Sequence, residues 1–128
     1  MNKRRIGAFQ ERLAAAFLSE HGVRIVARNF HNGRAGEIDL IGYDGDVLVF
    51  FEVKYRSFPG SGDPAEAVTP SKQRSICQAA RFYIASRHLS AEDPMRFDVV
   101  AVTAAERGED GQERVAMHWI RNAFPYCL

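Results

Sequence analysis

The chain has 128 residues, of which 46% are hydrophobic and 26% charged, and its formal net charge is +1 at pH 7. This length predicts one domain over residues 1–128, which can bury about two thirds of its unfolded surface without help from disulfides or bound metals. The net charge excludes a dedicated basic coat for nucleic acid. No apolar run approaches a membrane span, and residues 13–18 are too short for a signal-peptide core, so we expect a cytoplasmic protein that makes no membrane contact.

The charge is distributed unevenly along the chain. Residues 1–90 hold 13 Lys and Arg against 9 Asp and Glu, whereas residues 91–128 hold 4 against 7. An excess of positive charge in the first part is compatible with a partner that presents a phosphate backbone.

A first helix is predicted over residues 6–21, ending at Gly22. Its expected core stripe, at helical spacing, consists of Phe9, Leu13, Ala16 and Phe17. Glu11 lies on the opposite side of this helix. The neighbours of Glu11 there are small and apolar: Gly7, Ala14, Ala15 and Leu18. Glu11 is therefore either partly covered by the protein or a solvent-facing residue paired with Arg12 or with a neighbour four residues further on.

A first strand is predicted over residues 23–30, followed by a polar turn at 31–36. Arg28 and Arg34 can each contact a phosphate, but isolated arginines are more often solvated surface residues. His31, in a glycine-containing loop, is interpreted as a surface residue.

Two strands, 37–42 and 47–55, form a predicted hairpin through residues 43–46, because an Asp-Gly pair between apolar runs favours a tight turn. Residues 47–51 are apolar without alternation, which indicates a strand covered on both faces. A turn centred on Asp44 and Gly45 would place Asp39 opposite Phe50, and Glu37 opposite Glu52.

Side chains alternate along a strand, so this register predicts one face that carries four charged residues: Glu37, Asp39, Glu52 and Lys54. Such charges at the end of a doubly covered strand must be paired, bound to metal or open to a cleft. The oxygen-rich arrangement is typical of a site for a hard divalent cation such as Mg²⁺.

Residues 57–66 contain two Pro and two Gly and are interpreted as a connector, with a mobile substrate-binding flap as the alternative. A second helix follows over residues 70–87, with Thr69 as N-cap and Pro70 at its first position. Its predicted buried stripe is Ile76, Ala79, Ala80 and Tyr83.

Lys72 lies one turn before this stripe and either reaches a site or snorkels over the sheet edge. Two cysteines, Cys77 and Cys127, are far apart in sequence, and we expect Cys77 to be a buried reduced thiol rather than half of a disulfide.

Two further strands are predicted at 96–103 and 115–120, joined by an acidic turn at 104–114. Arg96 and Asp98 share a face and are expected to pair with each other. His118 is interpreted as structural or exposed. In the tail, Phe124 and Tyr126 are expected to pack on the core. The fold class is therefore α/β: one mixed five-stranded sheet flanked by helices, in the order helix, three strands, helix, two strands.

Asp39, followed twelve residues later by Glu52-Val53-Lys54, resembles the Asp…Glu-x-Lys signature of restriction-endonuclease-like nucleases. Nearly the whole chain is similar to the YraN family of small bacterial proteins, whose functional relatives are Holliday-junction resolvases. The residues that carry this resemblance are Gly7, Glu11, 28–30, 36–41, 52–56, Ala67, Val68, Lys72, 96–100 and 122–124.

The resemblance implies a site and an activity. Asp39 and Glu52, with the Val53 carbonyl, would bind Mg²⁺ or Mn²⁺, and Lys54 would position or activate the attacking water. Glu11 matches a helix-one Glu that approaches the metal in resolvases. DNA contacts would come from Lys72, Gln73, Arg56, Arg34 and Arg28.

The implied function is a magnesium-dependent endonuclease that cleaves DNA, branched or junction DNA included. The alternative is a binding module of the same fold that recognises nucleic acid or another protein without cleaving. A homodimer is compatible with the resemblance, since resolvases act as dimers. No organic cofactor is expected.

Overall fold

A computed structural model of the protein describes residues 3–33, 36–56, 68–107 and 113–125. The elements follow in the order α1 (Lys3–Glu20), β1 (Arg24–Asn32), β2 (Gly36–Asp44), β3 (Val47–Arg56), α2 (Pro70–Ser86), β4 (Met95–Arg107) and β5 (Glu113–Phe124). The five strands form one sheet in the order β1-β2-β3-β4-β5. The β3–β4 pair is parallel and the other three pairs are antiparallel. The predicted α/β fold, element order and mixed sheet are confirmed.

Both helices carry the end signals that their sequences indicate. Gly22 has a φ of +90°, and the Val23 amide donates to the Leu18 carbonyl at 2.9 Å, which is a Schellman ending of α1. The Thr69 hydroxyl accepts a hydrogen bond from the Lys72 amide at 3.2 Å and caps α2, whose first residue is Pro70. These local signals fix where each helix meets the sheet.

The sheet separates two cores, one under each helix. Leu48 and Phe50 of β3 belong to the core beneath α2, whereas Val49 and Phe51 belong to the core beneath α1. Strand β3 is therefore covered on both faces, as its unbroken apolar run predicts. The predicted buried stripe of α2 is also confirmed, and Cys77 and Ile84 extend it.

The predicted core stripe of α1 is wrong for Phe9 and Ala16, whereas Phe17 is half-buried and packs against the core beneath α1. Phe9 is 53% exposed and Ala16 is exposed, whereas Ala14, Ala15 and Leu18 are buried against the sheet. Small alanine side chains let the helix lie close to the strands, so the face that carries Ala14, Ala15 and Leu18 packs on the sheet and Phe9 stays outside. Because Glu11 lies on the alanine side, this orientation brings it towards the sheet.

The hairpin register is also wrong, by two residues. Asp44 pairs with Val47, so the central turn residues are Gly45, with a φ of +62°, and Asp46. The ladder continues to Leu40 opposite Phe51. A shift of two residues preserves which face each side chain takes.

The last two strands are longer than predicted. Strand β4 extends to Arg107 and β5 begins at Glu113, so only residues 108–112 separate them. Strand β5 continues to Phe124, whose ring is buried and stacks on Phe97 at 5.0 Å.

Asp98, on β4, is fully buried within a network of hydrogen bonds. It accepts from Arg96 Nε at 3.0 and 3.1 Å, from Trp119 Nε1 at 2.8 Å and from the Asn122 amide at 2.8 Å. Arg96 also donates to Asp44 in the hairpin turn at 2.6 Å. The predicted pairing of Arg96 with Asp98 is confirmed, and it joins β4, β5 and the hairpin.

Several sequence-based expectations concern residues outside the described ranges: Arg34, the connector 57–66, Tyr126 and Cys127. Cys77 is buried as expected, but it is disulfide-bonded, so the predicted reduced thiol is wrong. Neither helix of the described residues has both the length and the apolar character that crossing a membrane requires.

Gly36, at the start of β2, lies against the backbone of α2, and this contact generates a stability prediction. A Cβ at Gly36 would lie 2.0 Å from the Ser75 carbonyl oxygen, so Gly36→Ala forces the helix and strand apart. We expect a loss of about 1–3 kcal/mol in the free energy of unfolding, measured by urea denaturation. The control is Gly45→Asn, because nothing lies within 4 Å there and Asn accepts a positive φ. Equal losses for the two variants would contradict the close approach.

Candidate metal centre

Four carboxylates from three elements meet at one end of the β2–β3 pair. Glu11 comes from α1, Glu37 and Asp39 from β2, and Glu52 from β3. One carboxylate oxygen of each of Glu11, Glu37 and Asp39 lies within 4.8 Å of the other two. Asp39 and Glu52 are within hydrogen-bonding distance of each other. The structure thus brings together the acidic residues that the sequence analysis singled out.

Asp39 is held in place where the ladder between β2 and β3 stops. The last paired residues are Leu40 and Phe51, and one step further along are Asp39 and Glu52. There the Val53 amide donates to Asp39 Oδ2 at 2.8 Å instead of to a backbone carbonyl. The carboxylate of Asp39 is therefore fixed against the strand that carries Glu52.

The alternation of β2 breaks at Asp39, so the prediction of a single charged face is wrong for Glu37. Gly36 and Ile38 pack towards α2, whereas Leu40 belongs to the core beneath α1. Between two residues that face α2, Glu37 is directed to the α1 side, where Glu11 lies. Glu52 follows Leu48 and Phe50 in alternation and lies on the α2 side.

Asn29, on β1, accompanies this break. It has a φ of +50°, and the pairing passes from Arg28–Leu40 to Phe30–Ile38 on either side of it. Its side chain hydrogen-bonds to Glu11. Asn is one of the few residues that tolerate a positive φ, so the backbone irregularity and the contact with Glu11 arise together.

Two lysines contact one oxygen of Glu52. Lys54 Nζ lies 3.4 Å from Glu52 Oε1, and Lys72 Nζ lies 3.9 Å from the same atom. The other oxygen, Oε2, is buried and has no hydrogen-bond donor among the described residues. The neighbouring Asp39 carboxylate can share a proton with it only if one of the two acids is protonated. Glu52 is only 5% exposed, so an ionised Oε2 without a partner carries a desolvation cost.

Burial and mutual repulsion raise the pKa values of these acids. Burial first, and then the charge of Asp39, raise the pKa of Glu52 from 4.5 to about 7. The same two causes, in the same order, raise the pKa of Glu11 from 4.5 to about 7, against the hydrogen bond from Asn29. Burial also raises the pKa of Asp39, although the Val53 amide opposes it.

The donor set suits a hard divalent cation. It consists of carboxylate oxygens, and the four acids with the two lysines leave two negative charges when all are ionised. Mg²⁺ and Mn²⁺ prefer such oxygen ligands and retain several waters. A cation beside Asp39 and Glu52 would give the orphaned Oε2 a partner. The residues present therefore fit the predicted metal.

The residues predicted to contact DNA are placed differently from one another. Lys72 lies at the cluster. The side-chain Nε2 of Gln73 instead donates to the Val68 carbonyl at 2.9 Å, just before the start of α2. Arg56 ends β3, and Arg28 is exposed on β1. Arg34 lies outside the described residues.

Sequence reasoning missed the contact between Asn29 and Glu11, and also the pairing of His31 with Glu37. His31 Nε2 lies 3.9 Å from Glu37 Oε1, although His31 is exposed as predicted. An Asn before an aromatic residue in a strand gives no signal for a positive φ. His31 and Glu37 are directly opposed in the β1–β2 ladder, and the sequence alone does not give this register.

Residues 10–102 match the model of a protein family described as "Uncharacterised protein family UPF0102". This match covers α1 from residue 10 onward, the four carboxylates and both lysines of the cluster.

Three curated relatives show the same extent of similarity. A UPF0102 protein of Symbiobacterium thermophilum is 50% identical over 121 residues, which cover 94% of this chain and 97% of the relative. One from Chromohalobacter salexigens is 46% identical over 123 residues, with 96% and 93% covered. A third, from Chlorobaculum tepidum, is 45% identical over 122 residues, with 93% and 91% covered. The resemblance to a family of small bacterial proteins is confirmed, and this chain belongs to the uncharacterised protein family UPF0102.

Proposed function

We propose that the protein is a metal-dependent endonuclease that cleaves phosphodiester bonds in DNA. The observation that supports this most is the buried Glu52 Oε2, which has no donor among the described residues although Asp39 and Lys54 lie beside Glu52. A purely structural acid would be expected to have its oxygens satisfied. A cation and a phosphate substrate together would supply the missing charges.

Each residue of the cluster has a role in this proposal. Asp39 and Glu52 would hold Mg²⁺ or Mn²⁺ with the Val53 carbonyl, and Glu11 and Glu37 would complete the acidic surroundings. The cation, when bound, supplies Lewis acidity and lowers the pKa of water. Lys54, held 3.4 Å from Glu52 Oε1, donates to the attacking water and offsets the negative charge that develops on the phosphate.

Lys72 has a supporting role from the other side of Glu52. Its ammonium group is contributed by the first turn of α2 and keeps positive charge at the centre where the substrate phosphate must approach. The positive excess of residues 1–90 supports a polyanionic substrate. Branched or junction DNA is the substrate class that the resemblance to resolvases favours.

Replacement of Lys54 tests catalysis. Lys54→Ala should lower the rate of Mn²⁺-dependent cleavage by at least about 100-fold, because it removes the group that stabilises developing charge. DNA affinity should change by no more than about threefold, because the backbone contacts remain. Cleavage is measured on labelled linear, flapped and four-way DNAs.

Arg12→Ala is the control for this experiment, because Arg12 is exposed on α1 and outside the cluster. It should cut at the wild-type rate. If Lys54→Ala also cuts at that rate, Lys54 is not catalytic. If the wild type binds these DNAs but cuts none of them, a non-catalytic binding module is the better description.

A second prediction concerns the metal and needs no substrate. At ten times its dissociation constant, Mn²⁺ should stabilise the wild type by about 1.4 kcal/mol. For a domain of this size, this corresponds to a rise of roughly 3–6 °C in melting temperature. Asp39→Asn keeps the shape but removes a ligand, so its melting temperature should not respond to Mn²⁺. In chelator the variant should be at least as stable as the wild type, because it relieves repulsion. A less stable variant, with no response to metal in either protein, would indicate a structural ion pair.

A third prediction concerns pH in the absence of metal. The pKa values of Glu52 and Glu11 are 4.5 in the unfolded chain and about 7 in the folded protein, so the folded protein binds more protons between these values. Stability in chelator should therefore fall as the pH rises from about 4.5 to about 7, and the full penalty should persist above this window. Melts at several pH values should show a steeper fall for the wild type than for Asp39→Asn, since the charge of Asp39 contributes to both shifts. If stability falls equally with pH in the two proteins, the charge of Asp39 does not raise the pKa values of Glu52 and Glu11.

A further inference from the structure

Helix α2 is basic along its whole length. Residues 67–91 contain no Asp or Glu. The same stretch contains four positively charged side chains: Lys72, Arg74, Arg81 and Arg87. Arg74 and Arg81 are exposed and lie seven residues apart, on one row of the helix surface. A helix face of this kind attracts phosphate groups.

An exposed aromatic ring lies near the end of this helix. Phe82 is 48% exposed, and its ring centroid lies 6.1 Å from that of Phe30 on β1. The Arg87 guanidinium lies 6.0 Å from the centre of the Phe30 ring and 4.9 Å from that of Tyr83. A flat apolar ring backed by a second ring, with a guanidinium nearby, is the surface on which a nucleobase stacks.

This aromatic surface lies within reach of the candidate metal centre. Phe30 pairs across the ladder with Ile38, which lies between Glu37 and Asp39 in β2. Phe82 is ten residues beyond Lys72, a distance of about 15 Å along a helix. About four nucleotides span that length at the rise of roughly 3.4 Å per nucleotide of one strand. A strand that passes the centre and follows α2 would reach Phe82 within a few nucleotides.

We propose that Phe82, backed by Phe30 and flanked by Arg87, stacks an unpaired nucleobase a few nucleotides from the phosphate that is cleaved. A ring side chain reaches the face of a base only where that base is not stacked within a duplex. The substrate is therefore DNA with a single-stranded segment beside the cleavage point. This inference rests on the proposed nuclease function and specifies its substrate.

The composition around Phe82 favours nucleic acid over a protein partner. The cores of protein interfaces are depleted in charged residues, whereas Phe82 follows Arg81 in sequence and its backing ring, Phe30, lies 6.0 Å from the Arg87 guanidinium. Stacking on an aromatic ring combined with positive charge is instead typical of proteins that bind single strands.

The test compares two exposed phenylalanines, Phe82 on α2 and Phe9 on α1. Full-length wild type, Phe82→Ala, Phe82→Tyr and Phe9→Ala are titrated, in chelator so that no metal-dependent cleavage occurs, against a fluorescein-labelled single strand and the blunt duplex of the same sequence. Phe82→Ala should weaken single-strand binding by about 5- to 100-fold, the range that stacking of one base supplies. Its duplex affinity, and both affinities of Phe82→Tyr and Phe9→Ala, should stay within about twofold of wild type.

The inference is overturned if Phe82→Ala binds the single strand as tightly as the wild type, or if it loses duplex affinity to the same extent. It is also overturned if Phe82→Ala changes the oligomeric state on gel filtration, because Phe82 then belongs to an interface between copies of the chain. Cleavage of the same DNAs with Mn²⁺ reports separately on the proposed function. A protein that cuts DNA while Phe82→Ala binds normally loses only this inference.

Discussion

The burial of the Glu52 carboxylate is the constraint on which the site depends. Strand β3 is apolar on both faces up to Phe51, and the next residue places a carboxylate in the same covered position. A charge there must be offset, because burial disfavours its ionised form. Lys54 and Lys72 approach one oxygen only, so the other oxygen defines the point at which a cation would be stabilised most.

Each helix contributes one side of the site because the sheet is open at this end. Helix α1 packs through alanines, and this close packing carries Glu11 to the acids of β2. Helix α2 begins at Pro70, just where its first turn can place Lys72 beside Glu52. The break in β2 at Asp39 then lets one strand supply acids to both sides. A strand with regular alternation would have placed Glu37 on the same face as Glu52 instead of beside Glu11.

Short sequence patterns predicted the helices, the strands and the hairpin. They did not predict how distant segments pack on one another. The Asp-Gly pair indicates a tight hairpin, but it does not decide whether Asp44-Gly45 or Gly45-Asp46 is central. The error of two residues did not change the predicted faces of Asp39 and Glu52, because a shift by an even number of residues leaves each side chain on the same face. The orientation of α1 could not be predicted the same way. Phe9 offers more apolar area, but close packing on the sheet selected the alanines, and only the assembled layers reveal that preference.

Two buried acids in this sheet show how a structural carboxylate differs from a candidate functional one. Asp98 is fully buried, and its two oxygens accept hydrogen bonds from Arg96, Trp119 and the Asn122 amide. Each oxygen of this carboxylate accepts two hydrogen bonds from groups of the protein, so Asp98 needs no ligand from outside the chain.

Glu52 is buried almost as deeply, in the strand next to that of Asp98, but no donor among the described residues reaches its Oε2. The sequence does not distinguish the two acids, because each is an acidic residue within a mainly apolar strand. The difference lies in what surrounds them: Asp98 meets an arginine, an indole and a backbone amide on both oxygens, whereas Glu52 meets two lysines on Oε1 and a second carboxylate, that of Asp39. A fold that satisfies one buried acid so fully has the means to satisfy the other. We therefore propose that Glu52, unsatisfied among the described residues, is the position at which a ligand from outside the chain completes the site.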